Sequence, residues 1–349
     1  MRGLGLPVAW GTVAVTYRLT CPLAHQEALG ARLVSSAVLC AVGTGLLLHV
    51  RRTLLRELRQ ARRIAGAAQG VLLRPLPERI DGLSVAAAQL SAEPGAAIGG
   101  DLYEAVPTEH GVRVVMGDVR GHGIAALGTV AAVLGSFREA AYDEPDLERV
   151  LRRLDRALAR HLGDRARAEH PGPPLPANPV AEEFVTLLLL EIRPDGEIRA
   201  LNCGHPWPHH VAGTRVEPLA RAAPLPPLGM FPLPAELPVV PCGQLLPGEA
   251  LFLHTDGAED ARDAEGRFFS LPDVLAHAVR EAPVAPRALL GTVLTALLRH
   301  ADGAPSDDVA LLMLRNDRAP SAPRDGGPCD AAARAGHTAP CPQPTNQLR

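Results

Sequence analysis

The sequence is poor in aromatic residues and cysteines and carries little net charge. Aromatic residues make up 3% of the 349 residues and hydrophobic residues 47%, so leucine, valine and alanine must build most of the core. The six cysteines include no Cys-x-x-Cys pair, so we expect neither a zinc site nor a disulfide framework, and a reducing compartment is the default. The formal net charge of −3 gives no reason to expect nucleic acid as a partner.

One long run without charge or proline covers residues 33–50, which is about the minimum length of a membrane-spanning helix. Arg51 and Arg52 follow at once, as on a cytoplasmic flank. A shorter apolar stretch at residues 4–19 is either a second span, an interfacial segment or a signal peptide, although no clean cleavage site follows it. We predict that residues 1–50 attach the chain to the cell membrane by one or two spans, with the downstream part of the chain cytoplasmic. A buried soluble helix is the alternative.

Residues 51–76 predict a basic connecting helix that the prolines at 75 and 77 end. The segment is rich in alanine, leucine, arginine and glutamine, which are good helix formers. Apolar residues recur at heptad spacing at Leu54, Leu58, Ala61, Ala65, Ala68 and Leu72. This pattern favours a weak coiled coil that forms a homodimer and couples the membrane segment to a downstream domain. A single amphipathic helix on anionic lipid would also explain the arginines.

Residues 80–316 predict an α+β domain, and residues 317–349 lack periodicity and predict a disordered tail. The predicted strands are 83–90, 101–106, 112–118, 184–192, 198–202, 209–216, 250–254 and 309–315. The predicted helices are 124–142, 147–162, 271–279 and 286–300, with a loop at 163–181. Runs of antiparallel strands separated by helix pairs indicate a β-sandwich with helices outside.

Four short acidic motifs, each near the end of an apolar or β-rich run, are the strongest functional signal. They are Gly99-Gly100-Asp101, Gly117-Asp118-Val119, Thr255-Asp256-Gly257 and Ser306-Asp307-Asp308. Strand ends can present short carboxylates rigidly, and sets of oxygen ligands suit Mg²⁺ or Mn²⁺. The glycines permit tight turns and close backbone approach, and a backbone carbonyl can complete the ligand shell. One such motif is usually a plain turn, so the prediction depends on all four together.

In this order the motifs resemble those of the PPM-type (type 2C) serine/threonine protein phosphatases, in the bacterial stage II sporulation E-like (SpoIIE) branch. The resemblance runs from about residue 68 to residue 315. The residues that carry it are Ile98-Gly-Gly-Asp-Leu-Tyr103, Gly117-Asp-Val-Arg-Gly-His-Gly123, Phe184-Val-Thr186, Asn202-Cys-Gly-His-Pro206, Pro227-Leu-Gly229, His254-Thr-Asp-Gly257 with Ala261-Arg262, and Ser306-Asp-Asp-Val-Ala-Leu311. The membrane segment and connecting helix resemble an arrangement of actinobacterial members.

The resemblance implies a PPM phosphatase-like β-sandwich and a role for each matching residue. Asp118 is implied to bridge two Mn²⁺ or Mg²⁺ ions, with the Val119 carbonyl on one of them. Asp101 and Asp256 are implied to be further ligands. Asp307 and Asp308 are both candidates for the last ligand position.

Five other residues near the motifs have roles that the sequence leaves open. His122 is a candidate to donate a proton or orient the substrate, and equally a structural histidine of its loop. Arg120 and Arg262 are candidates for phosphate contact or ordinary surface arginines. Where relatives often have glutamate after the Thr-Asp-Gly motif, this chain has Asp260, and either it or Glu259 could fill that position.

The implied activity is metal-dependent hydrolysis of phosphoserine or phosphothreonine on a regulatory protein. Relatives commonly act on an anti-anti-sigma (STAS) factor, so a phosphorylated STAS protein is the expected partner. In this chemistry two cations activate a water molecule that attacks phosphorus in line. The alternative is a catalytically weak phosphatase-fold module that sequesters a signalling partner. A nucleotide cyclase would depend on the Gly-Gly-Asp motif alone, and Leu102-Tyr103 replace the Glu-Phe that follows in cyclases.

Overall fold

A computed structural model of the chain describes residues 37–38, 41–57, 72–91, 99–121, 124–169, 183–281, 284–303 and 305–319. A helix over residues 41–57 crosses the predicted boundary between membrane segment and connecting helix. Its large apolar side chains are exposed, as with Leu47 at 66%. Within these ranges, no helix is both long and apolar enough to cross a membrane. The apolar stretch at 4–19, most of the heptad seam and the chain after residue 319 lie outside them.

Two antiparallel β-sheets form the centre of the domain. The first sheet has the order β1 (Arg79–Ile80), β2 (Leu83–Leu90), β11 (Val309–Asn316), β10 (Ala250–His254), β7 (His209–Ala212) and β8 (Arg215–Pro218). The second has the order β3 (Asp101–Thr108), β4 (Gly111–Val119), β5 (Val185–Ile192), β6 (Glu197–Cys203) and β9 (Val240–Gln244). Every neighbouring pair is antiparallel.

Five helices of the domain complete a sandwich of four layers. They are α1 (Ile124–Asp143), α2 (Leu147–Glu169), α3 (Gly257–Asp260), α4 (Leu271–Glu281) and α5 (Pro286–His300). One buried cluster lies between the two sheets. A second joins α1 and α2 to the outer face of the second sheet, and a third joins α4 and α5 to the outer face of the first. The predicted α+β sandwich with outer helices is confirmed.

Strands near the middle of each sheet are covered on both faces, and their sequences show it. In β11, Ala310, Leu312 and Leu314 face the core between the sheets. Leu311 and Met313 face the helices instead. A strand that is buried on both sides needs an apolar residue at every position. This requirement explains why β11 and β5 appear as continuous apolar runs in the sequence.

The structure differs from the sequence prediction at several boundaries. The segment predicted as one strand at 209–216 is a hairpin of β7 and β8, because Gly213 turns the chain with a φ of +60°. Helix α2 continues to Glu169, through part of the predicted loop. Strand β9 lies in the proline-rich chain where no strand was predicted. Strand β1 and helix α3 have two and four residues, too few for a periodic pattern.

A buried ion pair connects β4 to the end of α1. The fully buried Arg113 donates to Glu191 on β5 through Nε and Nη2, at 2.9 and 2.8 Å. Its guanidinium also donates to the backbone carbonyls of Ala141, Glu144 and Pro145. All the donors of the buried cation therefore have acceptors, and one side chain fixes the turn between α1 and α2 on the sheet.

We expect Arg113→Ala to lower the free energy of unfolding by about 3–5 kcal/mol, because it leaves a buried carboxylate and three carbonyls without their partner. Urea denaturation of the full chain measures this loss. Arg215→Ala is the matched control, since Arg215 is exposed and pairs with Glu217 on the surface. The control should cost less than about 1 kcal/mol, and equal losses in both variants would contradict the assignment.

Candidate metal centre

The pairing of β3 with β4 places two acidic side chains directly opposite each other. Asp101 at the start of β3 is the register partner of Asp118 near the end of β4. Directly opposed residues of an antiparallel pair have Cβ atoms about 4.5–5.5 Å apart. Asp101 is only 1% exposed, so two carboxylates lie close together in a poorly hydrated position.

A threonine from the first sheet holds Asp101 in place. The hydroxyl of Thr255, which follows β10, donates to Asp101 Oδ2 at 3.1 Å. The same hydroxyl accepts from the Ala310 N–H at 2.9 Å, and the Thr255 N–H donates to the Ala310 carbonyl at 3.1 Å. This buried side chain therefore ties β10, β11 and β3 together. Thr255 belongs to a predicted motif, but no role was predicted for its hydroxyl.

The remaining acidic residues come from the two turns that follow β10 and precede β11. Asp256 precedes helix α3, and its carbonyl accepts from the Asp260 N–H at 2.8 Å. Asp307 and Asp308 lie at the start of β11, where the Asp308 N–H donates to Asp307 Oδ1 at 2.8 Å. A Cβ added at Gly257 would overlap the Asp308 carbonyl. The two turns therefore pack against each other at backbone distance.

Two glycines before β3 allow the loop to approach the carboxylates. A Cβ at Gly99 would overlap the Asp308 carboxylate. A Cβ at Gly100 would overlap the Val119 carbonyl and lie 2.5 Å from Asp118 Oδ1. The Val119 N–H also donates to the Gly100 carbonyl at 3.1 Å. The Val119 carbonyl and the Asp118 carboxylate are thus side by side, as a shared ligand position requires.

The carboxylates of this cluster act on one another electrostatically. Burial, and then the charges of Asp118 and Asp308, hold the pKa of Asp101 well above its usual value. Burial, and then Asp256, Asp307 and Asp308, raise the pKa of Asp118 to about 7. Each shift measures how unfavourable the ionised cluster is without a counter-charge. Divalent cations would remove that cost, so the donor set fits the predicted ions.

The structure distinguishes the two acidic residues after the Thr-Asp-Gly motif. Burial, and then the charges of Asp307 and Asp260, raise the pKa of Asp256. The Glu259 carboxylate lies on another side, with Oε1 3.8 Å from His254 Nε2. Asp260 is therefore the residue on the side of the metal centre.

Both residues of the last motif belong to the cluster, and they reach different parts of it. The charge of Asp307 raises the pKa of Asp118 and Asp256, whereas the charge of Asp308 raises the pKa of Asp101 and Asp118. The sequence left the choice between them open. Their assignment as ligands stays a prediction, and the geometry gives each of them a separate neighbour.

The other predicted residues lie at the edge of the centre or outside the described chain. His122 lies outside the described residues. The Arg120 guanidinium, two residues after Asp118, lies over the Phe184 ring, 5.2 Å from its centroid. The Arg262 guanidinium is stacked over Phe268 at 4.0 Å. Both arginines therefore have aromatic supports in this structure.

Comparison with solved structures supports the fold. The chain is similar to the RsbU and RsbW domains of a Mycobacterium tuberculosis protein, with 24% identity and a TM-score of 0.53, covering 70% of this chain and 62% of that one. It is similar to the SiaA-PP2C domain of Pseudomonas aeruginosa, with 17% identity and a TM-score of 0.57, covering 75% and 98%. No curated protein matches by sequence.

A third similar structure contains the PP2C phosphatase domain and a fragment of the regulatory domain of SpoIIE from Bacillus subtilis. It has 17% identity and a TM-score of 0.51, covering 67% of this chain and 63% of that one. The chain therefore spans less than two thirds of the length of this structure and of the mycobacterial one.

The family comparison covers more than half of the chain. Residues 108–317 match the family described as stage II sporulation protein E (SpoIIE). This range contains Asp118, Asp256, Asp307 and Asp308, and the strand pairing adds Asp101. The chain therefore belongs to the SpoIIE family of PPM-type serine/threonine protein phosphatases.

Proposed function

We propose that this chain hydrolyses phosphoserine or phosphothreonine on a regulatory protein. The observation that carries the proposal is the convergence of carboxylates from all four acidic motifs at one place between the sheets. The raised pKa values of Asp101, Asp118 and Asp256 indicate a site built for positive charge rather than a set of separate turns. A module that only sequesters a partner would not need such a costly cluster to be kept complete.

Different residues of the cluster would bind each of two divalent cations, Mn²⁺ or Mg²⁺. Asp118 and the adjacent Val119 carbonyl lie where a shared position is needed. Asp101 is oriented by the Thr255 hydroxyl, which occupies one side of its Oδ2 atom. Asp256 and the Asp307-Asp308 pair approach from the first sheet. When bound, the cations would activate a water molecule and offset charge on the phosphoryl oxygens.

Substrate binding falls to the surface around the cluster. Arg120 lies next to the metal ligands in sequence, and its guanidinium rests on Phe184. A guanidinium that is already positioned loses little conformational freedom when it contacts a phosphate. We propose Arg120 as a contact for the substrate phosphoryl group, with Arg262 as the second candidate.

We further propose that the substrate is a phosphorylated anti-anti-sigma (STAS) factor in a partner-switching pathway. Membership of the SpoIIE family supports this choice. So does the similar mycobacterial structure, in which RsbU and RsbW domains occur together. Such a substrate is a folded protein, which suits a metal centre located at strand ends rather than in a deep tunnel.

Membrane attachment and dimerisation complete the proposal. Residues 33–50 carry no charge, and two arginines follow them. In the helix over residues 41–57, Val42, Leu47 and Leu48 are exposed large apolar residues. A lipid or partner environment would cover these side chains. We therefore propose a membrane-attached homodimer with the phosphatase domain on the cytoplasmic side.

We expect Asp118→Ala and Asp256→Ala to lower divalent-dependent hydrolysis of a chromogenic phosphate ester by about a thousandfold or more, since metal ions supply several kcal/mol of charge stabilisation. EDTA should abolish the activity of the wild type to the same extent. Asp164→Ala removes an exposed carboxylate of α2 that pairs with Arg167, and it should retain full activity. Circular dichroism checks that all variants are folded, and activity in either cluster variant would contradict the metal assignment.

Gly100→Ala tests the close approach of the loop to the cluster. Its Cβ would displace the Val119 carbonyl and Asp118, and a misplacement of about 1 Å costs about a hundredfold in rate. Gly135→Ala is the control, because nothing lies within 4 Å of a Cβ there in α1. We expect the control to keep its activity and gain up to about 1 kcal/mol of stability. Equal activity of both variants would show that the loop is not part of the centre.

Carbonate extraction of membranes tests the attachment. The full chain should stay in the membrane fraction after carbonate washing, whereas a chain that begins at residue 72 should be released. Release of the full chain by salt or carbonate alone would contradict a membrane span.

A further inference from the structure

A second cluster of ligand-type side chains lies behind the metal centre, on the other face of β10. His209, the first residue of β7, is the register partner of Phe252. His254 lies two residues after Phe252, on the same face of the sheet and diagonal to His209. The two imidazole rings are stacked, with centroids 5.4 Å apart and planes inclined by 14°. Glu259 of α3 reaches the same place.

The geometry brings one ligand atom from each residue together. One ligand atom each of His209, His254 and Glu259 lies within 4.8 Å of the other two. His254 Nε2 and Glu259 Oε1 are 3.8 Å apart. Two ligands at about 2.0–2.1 Å from one ion can be no more than about 4.2 Å apart. Small side-chain rotations therefore suffice to bring all three atoms onto a single ion.

The hydrogen bond of His254 orients its ring for binding a metal ion. His254 Nδ1 lies 3.2 Å from the Thr255 carbonyl, and an Nδ1–H that donates there leaves the Nε2 lone pair directed at the cluster. Metal-bound histidines commonly donate their second nitrogen to a backbone carbonyl in this way.

Three ring nitrogens in this cluster have no hydrogen-bond partner among the residues that the structure describes. They are His254 Nε2 and both nitrogens of His209, although the two residues are only 1% and 5% exposed. A buried polar atom without a partner costs about 1–3 kcal/mol. A bound cation would satisfy two of these atoms at once. In contrast, the neighbouring His210 already pairs with Glu249 at 2.9 Å.

We propose that His209, His254 and Glu259 form a transition-metal site, of the class that Zn²⁺ occupies, separate from the carboxylate centre. Two imidazole nitrogens and one carboxylate suit Zn²⁺ and are a poor set for Mg²⁺, which prefers oxygen ligands. The lack of paired cysteines argued against zinc in the sequence. These ligands escape that argument because they are not cysteines, and because His209 meets the other two only through the pairing of β7 with β10.

An ion at this site would fix the segment that carries Asp256. The chain leaves β10 through Thr255 and Asp256 and enters α3, whose Glu259 N–H donates to the Asp256 carbonyl at 2.8 Å. His254 faces the helices, while the next side chain, Thr255, faces Asp101. An ion bound to Glu259 and both histidines would anchor both ends of this turn to β7. Binding of an ion here requires this geometry and does not require phosphatase activity.

Zinc binding by the full chain tests the proposal, measured by equilibrium dialysis with metal analysis. Excess Mg²⁺ is present to occupy the carboxylate centre. The wild type should bind one equivalent of Zn²⁺. Glu259→Gln and His209→Ala should each weaken this binding by more than about a hundredfold, since even the partners of metal ligands contribute about 10–100-fold. Glu259 is 46% exposed, so its variant should fold normally.

Two controls separate this site from the rest of the chain. His277→Ala removes an exposed histidine of α4 that pairs with Glu281, and it should bind Zn²⁺ like the wild type. Asp118→Ala should also keep its zinc, because it changes only the carboxylate centre. Zn²⁺ should raise the melting temperature of the wild type and of both controls, but not of Glu259→Gln. Wild-type affinity in Glu259→Gln and His209→Ala, or no zinc uptake by the wild type in Mg²⁺, would overturn the proposal.

Discussion

The repulsion among buried carboxylates is the constraint on which the rest of this structure depends. Asp101 and Asp118 face each other across one strand pair, and the acidic turns of the other sheet approach the same point. Without cations, burial and mutual repulsion both disfavour the ionised carboxylates. The sheets, the Thr255 hydroxyl and the glycine contacts hold it in place. The sandwich can be understood as a scaffold that keeps like charges together until positive charge arrives.

Strands that are buried on both faces hold the carboxylates together. Strands β10 and β11 are inner strands of the first sheet, and β4 and β5 are inner strands of the second. Their apolar side chains reach both the central core and the outer helices. The buried Arg113 adds a polar connection from β4 to the end of α1. The core as a whole therefore determines where the acidic residues at the ends of these strands lie.

The sequence predicted the architecture well because burial on two faces leaves a strong local pattern. Strands β2 and β10 and helix α5 have the predicted boundaries, since each begins and ends with a clear change of composition. Strand β9 was missed because its partner β6 is distant in sequence. The β7–β8 hairpin was predicted as one strand, because its turn at Gly213 is short. Short elements such as α3 have too few residues to carry a period.

The carboxylate cluster and the cluster of His209, His254 and Glu259 also differ in how well the sequence predicts them. The four acidic motifs were visible because each is a short contiguous peptide, and three of them have glycine beside aspartate. The function of Thr255 was not visible, because its partner Asp101 is 154 residues away. The cluster of His209, His254 and Glu259 also has no local signature. It exists only because β7 pairs with β10, and that pairing cannot be read from either strand alone.

The position of β3 has a consequence for how the centre opens. Among the described strands, β3 is an edge strand of its sheet, whereas the other acidic residues follow or precede inner strands. Edge elements with few covering contacts open locally at a free energy below that of global unfolding. Fraying at the start of β3 would withdraw Asp101 while the remaining carboxylates stay in register. The hydrogen bond from Thr255 to Asp101 therefore opposes this local opening.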